Sequence, residues 1–302
     1  MSNKTTKILL AVFLLLFVLV IAPSAYEKYK SKTSAPGFVS NDSWIESLNT
    51  AELTKIILED TQGNIELTRT NDNWQVNGKR ADGMEVASFI TKIKETKKGD
   101  LISRNKDNHS DLGVTNEAGT KLTLSSPKQE TTLLVGNSTL SGNSFYYRKA
   151  DQDLVFIGLS DLQTFTNTEE VKWRDKKVFN LDQNLIGKVQ ISGYNTFSLD
   201  KDTNSKIWSK NLWGNITPFD SETSGKIDTA FSPLTGFGFA SQQETADFNT
   251  SWDKYTVVIS DTQGVELTRF ETRKSGEDYI VKASNSEDLF KLYKSKLDFI
   301  LE

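Results

Sequence analysis

The feature that most constrains this chain is a hairpin-and-helix plan that it runs through twice. Leu53 to Leu58 is strand-like, Asp60-Thr61-Gln62-Gly63 is a turn, and Ile65 to Thr70 alternates as a second strand. Trp74-Gln75-Val76 makes a third short strand. Asp82 then opens a helical stretch with Met84, Phe89, Ile90 and Ile93 on one face, which Lys97-Lys98-Gly99 ends. Strands Lys121 to Leu124 and Thr131 to Val135 flank Ser125-Ser126-Pro127, and Ser144 to Lys149 and Asp153 to Ile157 flank Ala150-Asp151-Gln152. Ser160 caps a short helix bearing Leu162 and Phe165.

The second pass is similar. Lys188 to Ile191 and Thr196 to Asp200 form a hairpin, Ile207-Trp208-Ser209 takes the place of the Trp74 strand, and Ile227, Phe231 and Leu234 lie at helical spacing. Tyr255 to Ser260 and Val265 to Glu271 flank Asp261-Thr262-Gln263-Gly264; Tyr279 to Ala283 is a strand. A closing helix is expected from Asn285, carrying Leu289, Phe290, Tyr293, Leu297 and Ile300. The echo of Asp60–Arg69 in Asp261–Arg269 has two readings: one turn problem solved alike, or duplication of a whole unit. The recurring tryptophan strand and helix favour duplication. Runs of strands broken by single helices indicate an α+β fold with mainly antiparallel sheets.

Upstream, Lys4 and Lys7 precede an unbroken apolar run, Ile8 to Ala22. Nothing polar in that run marks an outward face, so it has no place in a soluble core. It is either an uncleaved single-pass anchor flanked by Tyr26, Tyr29 and snorkelling lysines, or a signal cleaved near Ala22-Pro23-Ser24-Ala25. The expected organisation is a membrane anchor or signal over residues 1–27 and a polar tether over 28–43. A first α+β domain over 44–180 and a second over 181–302 follow. A short basic N-terminus ahead of a large polar body favours N-inside, with the bulk outside the cytoplasm.

Little in the chain suits catalysis. Cysteine is absent, which removes disulfides, thiolate nucleophiles, sulfur-ligated metals and lipidation at cysteine. His109, the lone histidine, sits in the polar stretch Asn108-His109-Ser110-Asp111 and is expected as an exposed loop residue. Asp200 to Asn204 lacks the glycine and glutamate of a calcium loop, and Gly236-Phe237-Gly238 is more simply a turn than a phosphate cradle. Glu169-Glu170 and Glu287-Asp288 read as helix or loop-edge charges. A net charge of −4 with interspersed signs excludes a nucleic-acid footprint. No catalytic, cofactor or metal residue is therefore assigned. Trp74 and Trp208 are expected in the core, and Trp213 and Trp252 on the surface. The cluster Trp173, Arg174, Asp175 and Lys176, where the halves meet, is the candidate contact. It is either a joint, with Trp173 as plug and Arg174 paired to Asp175, or a docking point for a partner.

Trp74, Leu112-Gly113-Val114, Thr131 to Asn137, Phe145 to Arg148 and Trp173 to Lys176 occur in an order that resembles the bacterial family called domain of unknown function 4340. The resemblance covers Leu53 to Phe179 well and continues more loosely beyond. It implies an N-terminal membrane segment, frequent company with gliding-motility-type ABC transporter components, and no established active site. The expected function is a non-enzymatic, membrane-anchored extracytoplasmic accessory or scaffold subunit with protein partners. The alternative is a solute- or glycan-binding envelope module using exposed aromatics, and a third reading is an envelope hydrolase.

Overall fold

Alternating side chains explain the first strands of the computed structural model, which describes residues 49–301. Ile56 and Leu58 point inward from β1 (Lys55–Glu59) and pair across the ladder with Leu67 and Ile65 of β2 (Asn64–Thr70). On the other side they face Leu124 and Leu122 of β6 (Thr120–Ser125). Every one of these side chains is buried, so a one-residue slip would turn the whole row to solvent.

Beyond β2 lie β3 (Asn73–Val76) and β4 (Lys79–Arg80), joined by Asn77-Gly78, both at positive φ as a two-residue hairpin requires. Helix α1 (Gly83–Glu95) starts at Asp82, whose side chain accepts from the Met84 and Glu85 amides. It buries Val86, Phe89 and Ile93; Met84, expected on that face, is 82 % exposed in the first turn. Lys97–Gly99 do more than stop the helix, because they begin strand β5 (Lys97–Ser103). Strands β7 (Glu130–Ser138), β8 (Phe145–Lys149) and β9 (Val155–Leu159) complete a nine-stranded sheet ordered β4-β3-β2-β1-β6-β7-β8-β9-β5.

A segment containing helix α2 (Glu170–Trp173) leads to β10 (Lys177–Asn180). The second half is built from β11 (Ile186–Ser192), β12 (Phe197–Lys201), β13 (Trp208–Leu212), β14 (Asn215–Pro218) and helix α3 (Ser221–Phe231). Strands β15 (Pro233–Thr235) and β16 (Gly238–Phe239) and helix α4 (Gln242–Thr250) come next. Then follow β17 (Tyr255–Asp261), β18 (Glu266–Ser275), β19 (Asp278–Ala283), β20 (Leu289–Tyr293) and helix α5 (Asp298–Leu301). The sheet order is β14-β13-β12-β11-β17-β18-β19-β20-β16, the first sheet's order strand for strand. Both sheets are antiparallel throughout, and among the described residues strands dominate over helices.

Several expectations are corrected. The Asp60 turn joins β1 to β2, whereas the Asp261 turn joins β17 to β18, the counterparts of β6 and β7. The echo therefore links non-equivalent hairpins and reflects shared turn chemistry. Asp60 Oδ1 accepts from the Gln62 and Gly63 amides, and Asp261 Oδ1 from those of Gln263 and Val265. Positive φ is needed only at Gly264; at Gly63 the constraint is space, since a Cβ would meet the Thr168 carbonyl at 2.9 Å.

The expected closing helix is instead strand β20 up to Tyr293, paired residue by residue with β19, and helix begins only at Asp298. Buried Leu289, Phe290 and Leu292 suit a strand enclosed on both faces, whose spacing is indistinguishable from a helical one over so short a run. Leu234 lies in β15 and not on α3. Strand β10, placed by sequence in the first domain, pairs with β15, and its Val178 and Phe179 join the second half's core. Residues Thr50–Glu302 form one compact unit. The anchor and tether assignments lie outside the described residues, among which no helix is long and apolar enough to cross a membrane.

Candidate functional site: a joint and an adjoining cleft

Trp173 and Arg174 are neighbours with separate allegiances. Trp173 is fully buried, meets Phe89 of α1 edge-on at 5.3 Å between ring centroids, and donates its indole N–H to the Asn167 carbonyl at 2.7 Å. Arg174 turns to the second half, where Nη2 lies 2.5 Å from Asp288 Oδ1 and the guanidinium sits 3.5 Å from the centre of the Phe239 ring. Its Nη1 lies 3.6 Å from Glu170 on α2. Arg174 is 7 % exposed. The Asp288 contact is a charge contact rather than an aligned hydrogen bond, and Nε has no acceptor among the described residues.

The remaining two residues of the cluster complete the joint. Asp175 pairs with Arg80 of β4 at 2.9 Å, not with Arg174 as the sequence suggested. A neighbouring carboxylate and guanidinium in extended backbone point apart, so each finds a different partner. The Lys176 carbonyl accepts from the Gly236 amide at 2.8 Å, while Lys176 Nζ lies 3.5 Å from the Arg174 carbonyl. Burial works against ionised Glu170, yet hydrogen bonds from Lys79 and Asn77 and the charges of Lys79 and Arg174 hold its carboxyl below the usual carboxylate range.

The other recurring motifs converge on one loop of the first half. Arg148 Nε donates to the Val114 carbonyl at 2.8 Å, and its Nη1 to the carbonyls of Lys149, Ala150 and Gln152. The Asn137 amide donates to the Leu112 carbonyl, and Gly136 leaves no room for a Cβ, which would meet that carbonyl at 2.4 Å. Val114 packs with Leu134 and Val155. His109 belongs to this support: it is 4 % exposed, and its Nε2 donates to the Asp153 carbonyl at 2.9 Å. The expectation of an exposed loop histidine is thus corrected; a 3-10 turn over Lys106–His109 rotates the ring inward.

Beside the joint, β3 and α1 enclose a cleft of about 880 Å³. Trp74, Arg69, Gln75, Arg80, Ala87 and Asp175 contribute to its walls. Trp74, expected in the core, is half-buried there. Trp208 on the counterpart strand is fully buried, with its indole N–H on Asp228 at 2.9 Å. Trp213 and Trp252 are exposed, by 87 % and 86 %. Asp200 pairs with Lys188, and Asp202 is spent on the amides of Asn204 and Ser205, which accounts for the calcium-like stretch as a turn. Among the described residues no His, Asp or Glu cluster could hold a metal.

The family model described as Domain of unknown function (DUF4340) matches residues 74–249, more than half of the chain, so the chain belongs to that family. The match opens at Trp74 and extends through α3 into α4, further into the second half than the motif order alone indicates. No curated protein and no solved structure matches the chain.

Proposed function

We propose that this member of the DUF4340 family is a non-enzymatic, membrane-anchored extracytoplasmic accessory or scaffold subunit of an ABC-transporter-associated envelope complex. In this reading residues 8–22 form a transmembrane helix with the N-terminus inside, and residues 28–43 tether two halves that arose by duplication. The supports are the apolar run, the family resemblance and the shared strand order of the two sheets.

The observation that carries the reading is Trp213. Both halves make the same two-residue hairpin at the sheet edge. In the first half it is Asn77-Gly78, the chemistry that positive φ favours. In the second it is Trp213-Gly214, with the tryptophan at φ 55°. A bulky residue there costs about 1–2 kcal/mol relative to one that adopts this region readily. Leu212 and Ile216, on opposite faces of the same ribbon, are also exposed. The hairpin exposes Leu212, Trp213 and Ile216, the tryptophan at a cost to stability, which suits contact with an integral membrane partner held close by the anchor.

The test is the full-length protein carrying Trp213→Asn, purified from crosslinked membranes beside the wild type. The expected result is a fold at least as stable, retention of the peptide that starts at Met1, and loss of transporter subunits from the preparation. Undiminished partner recovery by the variant would contradict the reading. So would a wild-type chain cleaved near Ala25 with no protein partner.

A further inference from the structure

We propose that the Trp74 cleft is a saccharide-binding site, an activity additional to the scaffold role and independent of it. The argument begins from the counterpart strand of the second half, where the tryptophan lies two residues farther from the shared hairpin turn. There Asp228 of α3 takes the Trp208 indole N–H, Ser224 takes the Trp208 amide at 3.0 Å, and Lys201 joins Asp228 at 2.7 Å, so helix and tryptophan strand are sealed together. In the first half α1 presents Gly83 and Ala87 to that space. A Cβ at Gly83 would meet nothing within 4 Å. No residue replaces Asp228, and the Trp74 indole N–H has no acceptor among the described residues. One topology is closed in one half and open in the other, and the opening has the size of a small-molecule site.

The walls define the ligand. Arg69 meets the Ala51 carbonyl and Asp72, and Arg80 meets Asp175 and the Lys177 carbonyl. Each guanidinium already has an aspartate beside it, which lessens the pull on an anion. The side-chain amides of Asn73 and Gln75 have no protein partner among the described residues. Trp74 and Arg69 are cross-strand partners on one face of the ribbon, and a flat ring beside a guanidinium group suits a sugar, with its apolar face on the indole and its hydroxyls on the rim. A peptide strand is disfavoured: the outer edge of β4 is occupied by the Asp175 amide, which donates to the Arg80 carbonyl, and by the Ala81–Arg174 bridge.

The experiment uses the full-length chain in lipid nanodiscs, free of glycoside detergent, titrated calorimetrically with cello-, chito- and malto-tetraose. At least one of the three is expected to saturate with a Kd below about 1 mM. Trp74→Ala should weaken that binding by about tenfold or more. Ala87→Trp, made at an exposed helix position and therefore compatible with the fold, should abolish it by filling the cleft. Trp252→Ala should leave it unchanged. Absence of saturable binding to all three sugars overturns the proposal, as does binding that survives Ala87→Trp in a chain with wild-type circular dichroism.

Discussion

Replacing Arg174 by alanine removes the contact that joins the motif region to the second half, and its effect can be worked from the geometry. The guanidinium stacks at 3.5 Å on the Phe239 ring with only 7 % of the residue exposed, a desolvated cation–π contact of about 2 kcal/mol. The pair with Asp288 is worth less. That carboxylate is 35 % exposed and regains water when its partner is lost, which limits the term to about 1 kcal/mol. The sum, about 3 kcal/mol, corresponds to a fall of about 6–12 °C in Tm for a unit of this size. Arg174→Lys keeps the charge but loses the planar stack, and should recover less than half of the deficit. Thermal unfolding of the full-length protein supplies the magnitude, and hydrogen exchange at Gly238–Phe239 and Leu289–Tyr293 supplies the location. A fall of less than about 2 °C, or unchanged exchange in those strands, would refute the reasoning.

Glu244 offers a pH test. Its carboxyl accepts from Lys291 on β20 and from the Ser241 amide in the capping box of α4, and these bonds depress its pKa from 4.5 to about 2. Because the folded value lies below the unfolded one, this stabilisation is complete above pH 4.5 and is lost as pH falls toward 2. With about a quarter of each side chain exposed, solvent screening limits it to about 1 kcal/mol. Glu244→Gln should flatten the acid limb of stability between pH 5 and 2; an unchanged slope argues against the assignment. His109→Ala should cost about 2 kcal/mol, through a buried cavity and a lost bond to Asp153, and is read as a lower urea midpoint. A midpoint equal to wild type would return His109 to the surface.

How far the sequence carried the fold can be seen in particular residues. Ile56, Leu58, Ile65 and Leu67 alternate cleanly because one face of their sheet is core, and that alternation made the first hairpin legible. Leu289, Phe290 and Leu292 misled, because a strand covered on both faces carries no alternation to read. His109 was misplaced for a different reason: its partner is a backbone carbonyl 44 residues away, and a carbonyl leaves no mark on side-chain identity. The same applies to Arg174, whose local neighbour Asp175 was the wrong partner and whose real one, Asp288, comes from a distant hairpin. The Trp74 cleft was hidden by its twin. Two tryptophans on counterpart strands invite one reading, but Trp208 lies two residues farther from the shared turn and has an acceptor in Asp228.

The most direct test of the scaffold account is a photo-crosslinking amino acid placed at position 213 of the full-length protein in native membranes, with the same residue at position 128, exposed in the other half, as the control. The expected result is a discrete adduct from position 213 to an integral membrane protein, absent from position 128. Identical adduct patterns from both positions, or no protein adduct from position 213, would contradict it.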